Sequence, residues 1–306
     1  MQNDRLKIIG GFILASTIWG STWLAIKIGL GSIPPFFGAA FRFLIAMIVL
    51  LAVIKFRRIE FQTDKKSQQL YLISGLLAFG IPFALVYWGQ QYIPSGLSSI
   101  LFALYPFIVG ILSHVMLPSE PLNVFKVSGI LLGFLGIFIV FSQDIAWGGD
   151  STTVGMLAIV LSSILQGFSL ILIKKYGKHL NPFNLNLGGM TIGAIVLFSI
   201  ALIFERPSDV HFDAKGVGSI LYLGVLGSVV TFSAYFWMLK KVEAVYLSLL
   251  AFITPILAII LGGIVLNEKL GVHVLQGGAL VLLGILVANS KDFVKSIYKK
   301  KEINID

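Results

Sequence analysis

Arg42 is the residue of this 306-residue sequence best suited to bind a charged molecule. It lies inside the apolar stretch 36–56, some ~10 Å below the start of that stretch if the stretch is helical. A guanidinium held there binds a carboxylate or a phosphate through two parallel hydrogen bonds. In a competing interpretation, the side chain reaches to the membrane interface or bonds to backbone carbonyl groups. The sequence leaves both interpretations open.

A second group of residues has the spacing of one helical face. Ser16, Trp19, Gly20 and Trp23 follow the i, i+3, i+4, i+7 pattern. Tryptophan at mid-depth is costly against lipid, so this face should point inward. Small polar groups among aromatic rings are typical of a pocket for an amphipathic organic solute, although Ser and Gly can also serve only to pack helices. The predicted substrate-binding residues are Ser16, Trp19, Trp23, Arg42, Ser99, Phe102, Tyr105, Gln166, Tyr246 and Ser248.

Two prolines occupy the middle of two similar apolar stretches, SILFALYPFIVGILSHVMLPSE at 99–120 and SLLAFITPILAIILGGIVLNE at 248–268. Because proline removes a helix hydrogen bond and clashes with the preceding turn, Pro106 and Pro255 should bend their helices. We expect them to act as hinges that shape a cavity, and the alternative is a static kink. Glu120 and Glu268 end the two stretches, where they should cap helices or pair with nearby lysines.

Several kinds of chemistry have no signal in the sequence. There is no cysteine, no Gly-rich phosphate loop with a lysine, no His/Asp/Glu group with metal-ligand spacing and no nucleophile–base pair. No Asp or Glu lies in the middle of an apolar stretch. We therefore expect no enzymatic activity, no cofactor and no metal. Any transport would be driven by a gradient or would run as facilitated diffusion or exchange.

The composition explains what must position these residues. Hydrophobic residues make up 57% of the chain, charged residues 12%, and the mean hydropathy is +0.93. A soluble domain has roughly a quarter charged residues. Apolar runs of about 20 residues cross a bilayer as helices. The sequence predicts an all-α integral membrane protein with ten spans: 6–27, 36–56, 69–91, 95–117, 122–142, 153–176, 183–205, 216–239, 243–266 and 271–289.

Lysine and arginine predict the orientation of these spans. With the N-terminus in the cytoplasm, 18 of the 23 basic residues fall in inside loops and tails, and 4 fall outside. The positive-inside rule then places both termini in the cytoplasm. The basic tail 291–306, with KKK at 299–301, should act as a stop signal or contact lipid headgroups, and we expect no nucleic-acid binding.

The two halves of the chain resemble each other at an offset of 147 to 149 residues. Matching pairs are Ser16–Ser163, Gly20–Gly167, Lys27–Lys174, Phe83–Phe232, Trp88–Trp237, Pro106–Pro255 and Glu120–Glu268. We divide the chain into a first repeat, 1–145, and a second, 146–290. Five spans per repeat is an odd number, so the second repeat should be inverted in the membrane. Inverted repeats around a central cavity are typical of secondary transporters that work by alternating access.

The stretches WGSTWLAIKIG (19–29) and FRFLIA (41–46), the two proline stretches and the glycine-rich last spans of each half resemble the drug/metabolite transporter superfamily, EamA type. The resemblance covers residues 6 to 290. It implies a ten-helix carrier of the plasma membrane with a central cavity, in a family that often exports amino acids or other metabolites. The four-span multidrug relatives use a glutamate in their first span, which this sequence lacks, so their proton coupling is not carried over.

We predict an exporter of amino acids or similar amphipathic metabolites. The alternatives are an exchanger of sugar phosphates or nucleotide sugars, which would want several cations inside the membrane, and a pore or lipid-handling protein that is not a carrier. The expected partners are a small-molecule substrate and the lipid bilayer, with a monomer as the expected unit.

Overall fold

The structure, a computed structural model, describes residues 2–117, 122–147, 150–239 and 250–302. In chain order these residues form α1 (Gln2–Gly29), α2 (Pro35–Phe56), α3, α4, α5 (Val124–Trp147), α6 (Asp150–Tyr176), α7 (Pro182–Phe204), α8, α9 (Leu250–Leu266) and α10 (Val272–Glu302). Three of them consist of consecutive pieces: α3 of Lys65–Ser74, Gly75–Gly80 and Ile81–Gly89; α4 of Ser95–Phe102 and Tyr105–Met116; α8 of Ala214–Leu221, Tyr222–Val230 and Thr231–Leu239.

The all-helical membrane fold is confirmed. Nine segments of the described chain are long and apolar enough to cross a bilayer, and each begins and ends within four residues of a predicted span. The remaining predicted span, 243–266, begins outside the described residues, and its described part is the apolar helix Leu250–Leu266. The protein is therefore a multi-pass membrane protein.

Local chemistry fixes where several helices begin. The Asp64 side chain accepts a hydrogen bond from the Ser67 amide at 3.1 Å, and the Asp213 side chain accepts one from the Gly216 amide at 2.7 Å. Asn181 does the same for the Phe183 amide at 2.9 Å. These side chains satisfy amides that the first turn of a helix leaves without a partner.

Two helices contain a wider π-helical turn that the hydropathy pattern does not predict. One covers Gly75–Gly80 in α3 and the other covers Tyr222–Val230 in α8. At the offset of 149 residues, the first turn coincides with residues inside the second. In α8 the Ser228 hydroxyl donates to the Leu223 carbonyl at 2.9 Å, five residues earlier, so a side chain supports the wide turn. Such turns occur frequently at functional sites.

The two paired prolines differ in their local structure. α4 stops at Phe102 and begins again at Tyr105, so that Pro106 is near the start of a new helix. There its missing N–H leaves no hydrogen bond unmade. Pro255 instead lies inside the continuous helix Leu250–Leu266. The sequence predicted equivalent bends, whereas the structure shows a two-residue interruption of the α-helix before Pro106 and a continuous helix at Pro255.

Helices α5 and α10 touch through glycines. A Cβ atom on Gly136 would lie 2.5 Å from the Gly277 carbonyl oxygen, and one on Gly284 would lie 2.5 Å from that of Gly129. Residue numbers rise along one helix as they fall along the other, so the two helices run antiparallel. Only glycine permits backbones to approach so closely.

The two halves also contact each other reciprocally: the third helix of each half packs against the second helix of the other. A Cβ atom on Gly75 of α3 would meet Ile192 of α7 at 2.5 Å, and one on Gly224 of α8 would meet Ile45 of α2 at 2.8 Å. Gly75 and Gly224 are repeat partners, and so are Ile45 and Ile192 at the offset of 147. Each half therefore packs the π turn of its third helix against the second helix of the other half. The second helix of the first half, α2, carries Arg42.

Candidate functional site

Arg42 is buried in the interior of the bundle, with 3% of its surface exposed. Its Nε donates to the Ser228 hydroxyl at 3.0 Å, and Nη2 makes a longer contact of 3.5 Å with the Gly227 carbonyl. The guanidinium carbon lies 4.7 Å from the centre of the Phe83 ring, a cation–π contact. The side chain is thus turned toward the π turn of α8, and it does not extend to the surface.

The guanidinium keeps hydrogen-bonding capacity in this environment. It has five N–H donors, of which two make the contacts to Ser228 and Gly227. No carboxylate among the described residues forms an ion pair with it. The Tyr87 hydroxyl is buried and interacts with the Arg42 guanidinium, and it has no other partner among the described residues. A buried cation surrounded by aromatic rings and spare donors is suited to receive an anionic group.

A chain of aromatic contacts joins Arg42 to Trp19. Successive ring centres are 4.8 to 5.8 Å apart along the series Phe83, Phe43, Phe79, Phe232 and Trp19. Two predicted site residues, Arg42 and Trp19, therefore belong to one network. Sequence reasoning did not select its other members, although Phe83 and Phe232 are matched repeat partners. The functional candidates it missed are Phe43, Phe79, Phe83, Tyr87, Ser228 and Phe232.

A second aromatic group brings together three predicted residues. The Trp23 and Phe102 ring centres are 5.4 Å apart, and the Phe102 and Tyr105 rings stack at 5.7 Å with an interplanar angle of 8°. Phe102 and Tyr105 flank the break in α4. Trp23 is one helical turn after Trp19, so the two aromatic groups adjoin along α1.

The remaining predicted residues differ in their surroundings. The Ser16 hydroxyl donates to the Phe12 carbonyl of its own helix at 2.8 Å, while the buried Ser99 hydroxyl has no hydrogen-bond partner among the described residues. Gln166 is half-buried on α6. Tyr246 and Ser248 lie outside the described residues, as does Glu120.

The contact between Arg42 of the first half and Ser228 of the second half has no symmetry-related copy. The repeat partner of Arg42 is Gly189, and the partner of Ser228 is Phe79. A Cβ atom on Gly189 would lie 2.9 Å from the Phe79 ring, so the Phe79 ring occupies the symmetry-related place of the Arg42–Ser228 contact. The exchange of Arg–Ser for Gly–Phe leaves one buried guanidinium between the halves.

A cleft of about 420 Å³ opens between the end of α2, the beginning of α7 and the end of α8. None of the predicted substrate-binding residues lines it. Its lining residues are Arg57, Ile59, Asn181, Pro182, Phe183, Asn186, Ser233, Ala234 and Trp237. Asn186 lies one turn before Gly189, and Ser233 follows Phe232, so the inner wall of the cleft adjoins the aromatic network.

At the opposite end of the bundle, charged side chains hold neighbouring segments together. Lys27 Nζ donates to the carbonyls of Gln90 at 2.7 Å and Ile93 at 3.0 Å. Glu268 accepts hydrogen bonds from the Ser95 amide at 2.9 Å and the Ser95 hydroxyl at 2.8 Å. The capping role predicted for Glu268 is confirmed, and the helix it caps is α4. Glu205 caps α2 in the same way through the Phe36 amide at 2.8 Å.

Two aspartates at helix starts outside the spans have shifted acidities. Hydrogen bonds from the Ser67 hydroxyl and amide lower the pKa of Asp64, and the Gly216 amide followed by the Ser32 hydroxyl lowers that of Asp213. No group of three His, Asp or Glu residues that could hold a metal occurs within the described ranges.

Comparisons with known proteins agree with this architecture. The sequence profile of the EamA-like transporter family matches residues 6–142 and again residues 153–290. "Uncharacterized transporter YoaV" of Bacillus subtilis (strain 168) is 28% identical, with 92% of this chain and 96% of that protein covered. "Protein PagO" of Salmonella typhimurium (strain LT2) is 25% identical, with 89% of this chain and 89% of that protein covered.

A solved structure, described as "Crystal structure of protein", shares the fold. It superposes with a TM-score of 0.68 at 19% identity, covering 93% of this chain and 97% of the other. The family profile matches each half separately, which agrees with a repeated architecture. The protein belongs to the EamA-like transporter family.

Proposed function

We propose that the protein is a secondary transporter that exports small amphipathic metabolites carrying a carboxylate, with amino acids as the favoured class. The observation that carries this proposal is the buried Arg42 guanidinium, which holds spare N–H donors beside the Tyr87 hydroxyl and the Phe83 ring. A carboxylate accepts two parallel hydrogen bonds from such a group. The aromatic series from Phe83 to Trp19 offers apolar surface to the rest of the solute.

The inverted arrangement of the repeats is part of the proposal. A two-fold axis between inverted copies makes each residue contact the partner of the residue that it faces. At the offset of 148, Gly129 is the repeat partner of Gly277, and Gly136 is the repeat partner of Gly284. Gly129 contacts Gly284 and Gly136 contacts Gly277, so each glycine contacts the repeat partner of the other. The reciprocal contacts of Gly75 with Ile192 and of Gly224 with Ile45 support the same symmetry. In this arrangement either half can adopt the conformation of the other.

Alternating access then requires bending, for which we propose Pro106 and Pro255 as hinges. The break at residues 103–104 lies between Phe102 and Tyr105, so movement there would shift the ring stack against Trp23. The helix is interrupted before Pro106 and continuous at Pro255, and this asymmetry suits a conformation in which the bundle is open at one end. The open end holds the cleft at Arg57, and the positive-inside rule makes it cytoplasmic. Lys27 and Glu268 close the other end.

The number of buried cations favours a carboxylate over a phosphate. Arg42 is the one lysine or arginine that is fully buried among the described residues, and a single guanidinium neutralises one negative charge. A sugar phosphate or a nucleotide sugar carries about two charges or more, which would leave a charge without a partner in a low-dielectric interior. The aromatic series likewise suits an apolar side chain better than a sugar.

Counterflow in proteoliposomes tests the proposal. Vesicles loaded with unlabelled L-phenylalanine should accumulate external labelled L-phenylalanine transiently, and a pore cannot produce this overshoot. Arg42→Ala should abolish the overshoot, and Arg42→Lys should reduce it strongly, because a lysine cannot bind bidentately. Arg206→Ala, at an exposed arginine in the α7–α8 connection, is the matched control and should behave as wild type.

The proposal fails if Arg42→Ala, folded by size-exclusion chromatography, transports at the wild-type rate. Phenethylamine, which has the same ring without the carboxylate, should not drive counterflow in the wild-type protein. Counterflow with phenethylamine as strong as with L-phenylalanine would also contradict the assigned role of the guanidinium.

A further inference from the structure

The cleft at the end of α2 has the features of a binding site that is separate from Arg42. Its polar groups include the Arg57 guanidinium, the Asn186 amide and the Ser233 hydroxyl, and its apolar walls include Phe183 and Trp237. At about 420 Å³ it is large enough for a molecule of amino-acid size. The mixture of one cation, neutral polar groups and aromatic rings repeats the chemistry around Arg42.

The polar groups of the cleft have spare binding capacity. Arg57 forms no ion pair within the described residues, and its guanidinium carbon lies 5.5 Å from the centre of the Phe183 ring. The Asn186 side chain is 3% exposed and forms no hydrogen bond to the described residues. An amide inside a wall and a cation at the rim can together orient a solute with a carboxylate and an apolar body.

Arg42 lies within α2, and Arg57 directly follows the last residue of that helix. Fifteen residues separate them, which is about 22 Å and slightly more than four turns. Arg42 contacts Gly227 and Ser228 of α8, and the cleft at Arg57 includes Ser233 and Trp237 of the same helix. The α8 residues 227–237, called the seam below, therefore connect the contact of Arg42 with the cleft at Arg57, and Phe232 is one of them.

We propose that this cleft is an entry site, in which Arg57 captures a carboxylate-bearing amphipathic solute before it moves along the seam to Arg42. The inference rests on the proposed function, and it adds a second binding site and a named capturing residue. Phe56, the preceding residue, is 90% exposed and faces outward, whereas Arg57 lies against Phe183 in the cleft. Arg57 is thereby distinguished from a cation that only contacts lipid headgroups.

The absence of cysteine from the sequence allows a direct test. Ser233→Cys places a thiol in the cleft wall, with Ala234→Cys as a second position if the first is unreactive. In nanodiscs both ends of the protein are accessible, and the rates of modification are measured with an anionic sulfonate-bearing and a cationic trimethylammonium-bearing methanethiosulfonate. The ratio of the two rates reports the local potential without depending on transport.

Removing the rim charge with Arg57→Gln should lower the anionic-to-cationic ratio by about threefold. Arg58→Gln removes the adjacent exposed cation, which is not part of the lining, and should leave the ratio nearly unchanged. L-phenylalanine should slow modification of the thiol, also when Arg42 is replaced by alanine, and phenethylamine should not.

Equal effects of Arg57→Gln and Arg58→Gln, or lack of protection by L-phenylalanine, would overturn the entry site. An unreactive thiol at both 233 and 234 would overturn it too, since the cleft would then be closed to water. These outcomes are independent of counterflow. Protection without counterflow would leave the binding site standing and refute the transport function, whereas counterflow without protection would refute the entry site alone.

Discussion

Gly277→Ala is expected to destabilise the protein although alanine is the better helix former. A Cβ atom at Gly277 would lie 2.6 Å from Val140 Cγ2 and 3.1 Å from the Val140 amide nitrogen, and closer still to the Gly136 carbonyl oxygen. Two of these three atoms belong to the backbone, so α5 and α10 must separate. Overpacking of this kind costs about 1–3 kcal/mol, while the gain in helix propensity is up to about 1 kcal/mol. The net loss should be about 1–2 kcal/mol.

The matched control is Gly110→Ala in α4. A Cβ atom at Gly110 has no neighbour within 4 Å, so only the gain in helix propensity remains, and stability should stay equal or rise. The measurement is the midpoint of thermal unfolding in detergent, followed by fluorescence-detected size-exclusion chromatography. We expect Gly277→Ala to lower the midpoint by about 3 °C or more. If the two variants unfold at the same temperature, the close contact of the two helices is refuted.

Three further variants test the remaining parts of the site. Pro106→Ala should slow counterflow of L-phenylalanine by about tenfold while changing its equilibrium affinity little, since the break in α4 serves movement; unchanged turnover would favour a static kink. Tyr87→Phe should weaken L-phenylalanine binding by a few-fold, because it removes the hydroxyl that interacts with the Arg42 guanidinium; unaltered affinity would remove Tyr87 from the site. Asp213→Ala should lower the unfolding midpoint at pH 7, because a carboxylate with a depressed pKa stabilises the fold only while it is ionised. The difference from wild type should therefore vanish as the pH falls below about 4 and through the lowered pKa of Asp213. Asp209→Ala, at an exposed residue of the same connection, is the control, and a difference that persists at low pH would contradict the role of charge.

Much of the fold is accessible from the sequence because the membrane imposes strong rules. A helix is the one structure that satisfies the backbone of a single span in lipid, so hydropathy and length alone located the spans. The caps Asp64, Asn181 and Asp213 follow from short-range chemistry. The repeated Gly and Trp positions were visible because a constant offset relates residues of the same type.

The site was predictable only in part. Arg42 and the aromatic residues of α1 and α4 stand out because charged and aromatic side chains are unexpected at mid-depth. Ser228, the partner of Arg42, is 186 residues away and lies on a π turn, and helical periodicity does not distinguish such a turn from an ordinary α-helix. The cleft at Arg57 forms from three chain segments that no local pattern connects. The difference between Pro106 and Pro255 depends on conformation, which identical residue types do not reveal.

The opposite orientation of the two halves is the claim on which the transport mechanism depends most. Thr63→Cys and Ser208→Cys place single thiols in the exposed connections that follow the second helix of each half. A membrane-impermeant maleimide applied to intact cells should label Ser208→Cys and not Thr63→Cys, and permeabilised cells should show labelling of both. Labelling of both thiols in intact cells, or of neither, would place the two connections on the same side of the membrane and contradict the inverted repeat.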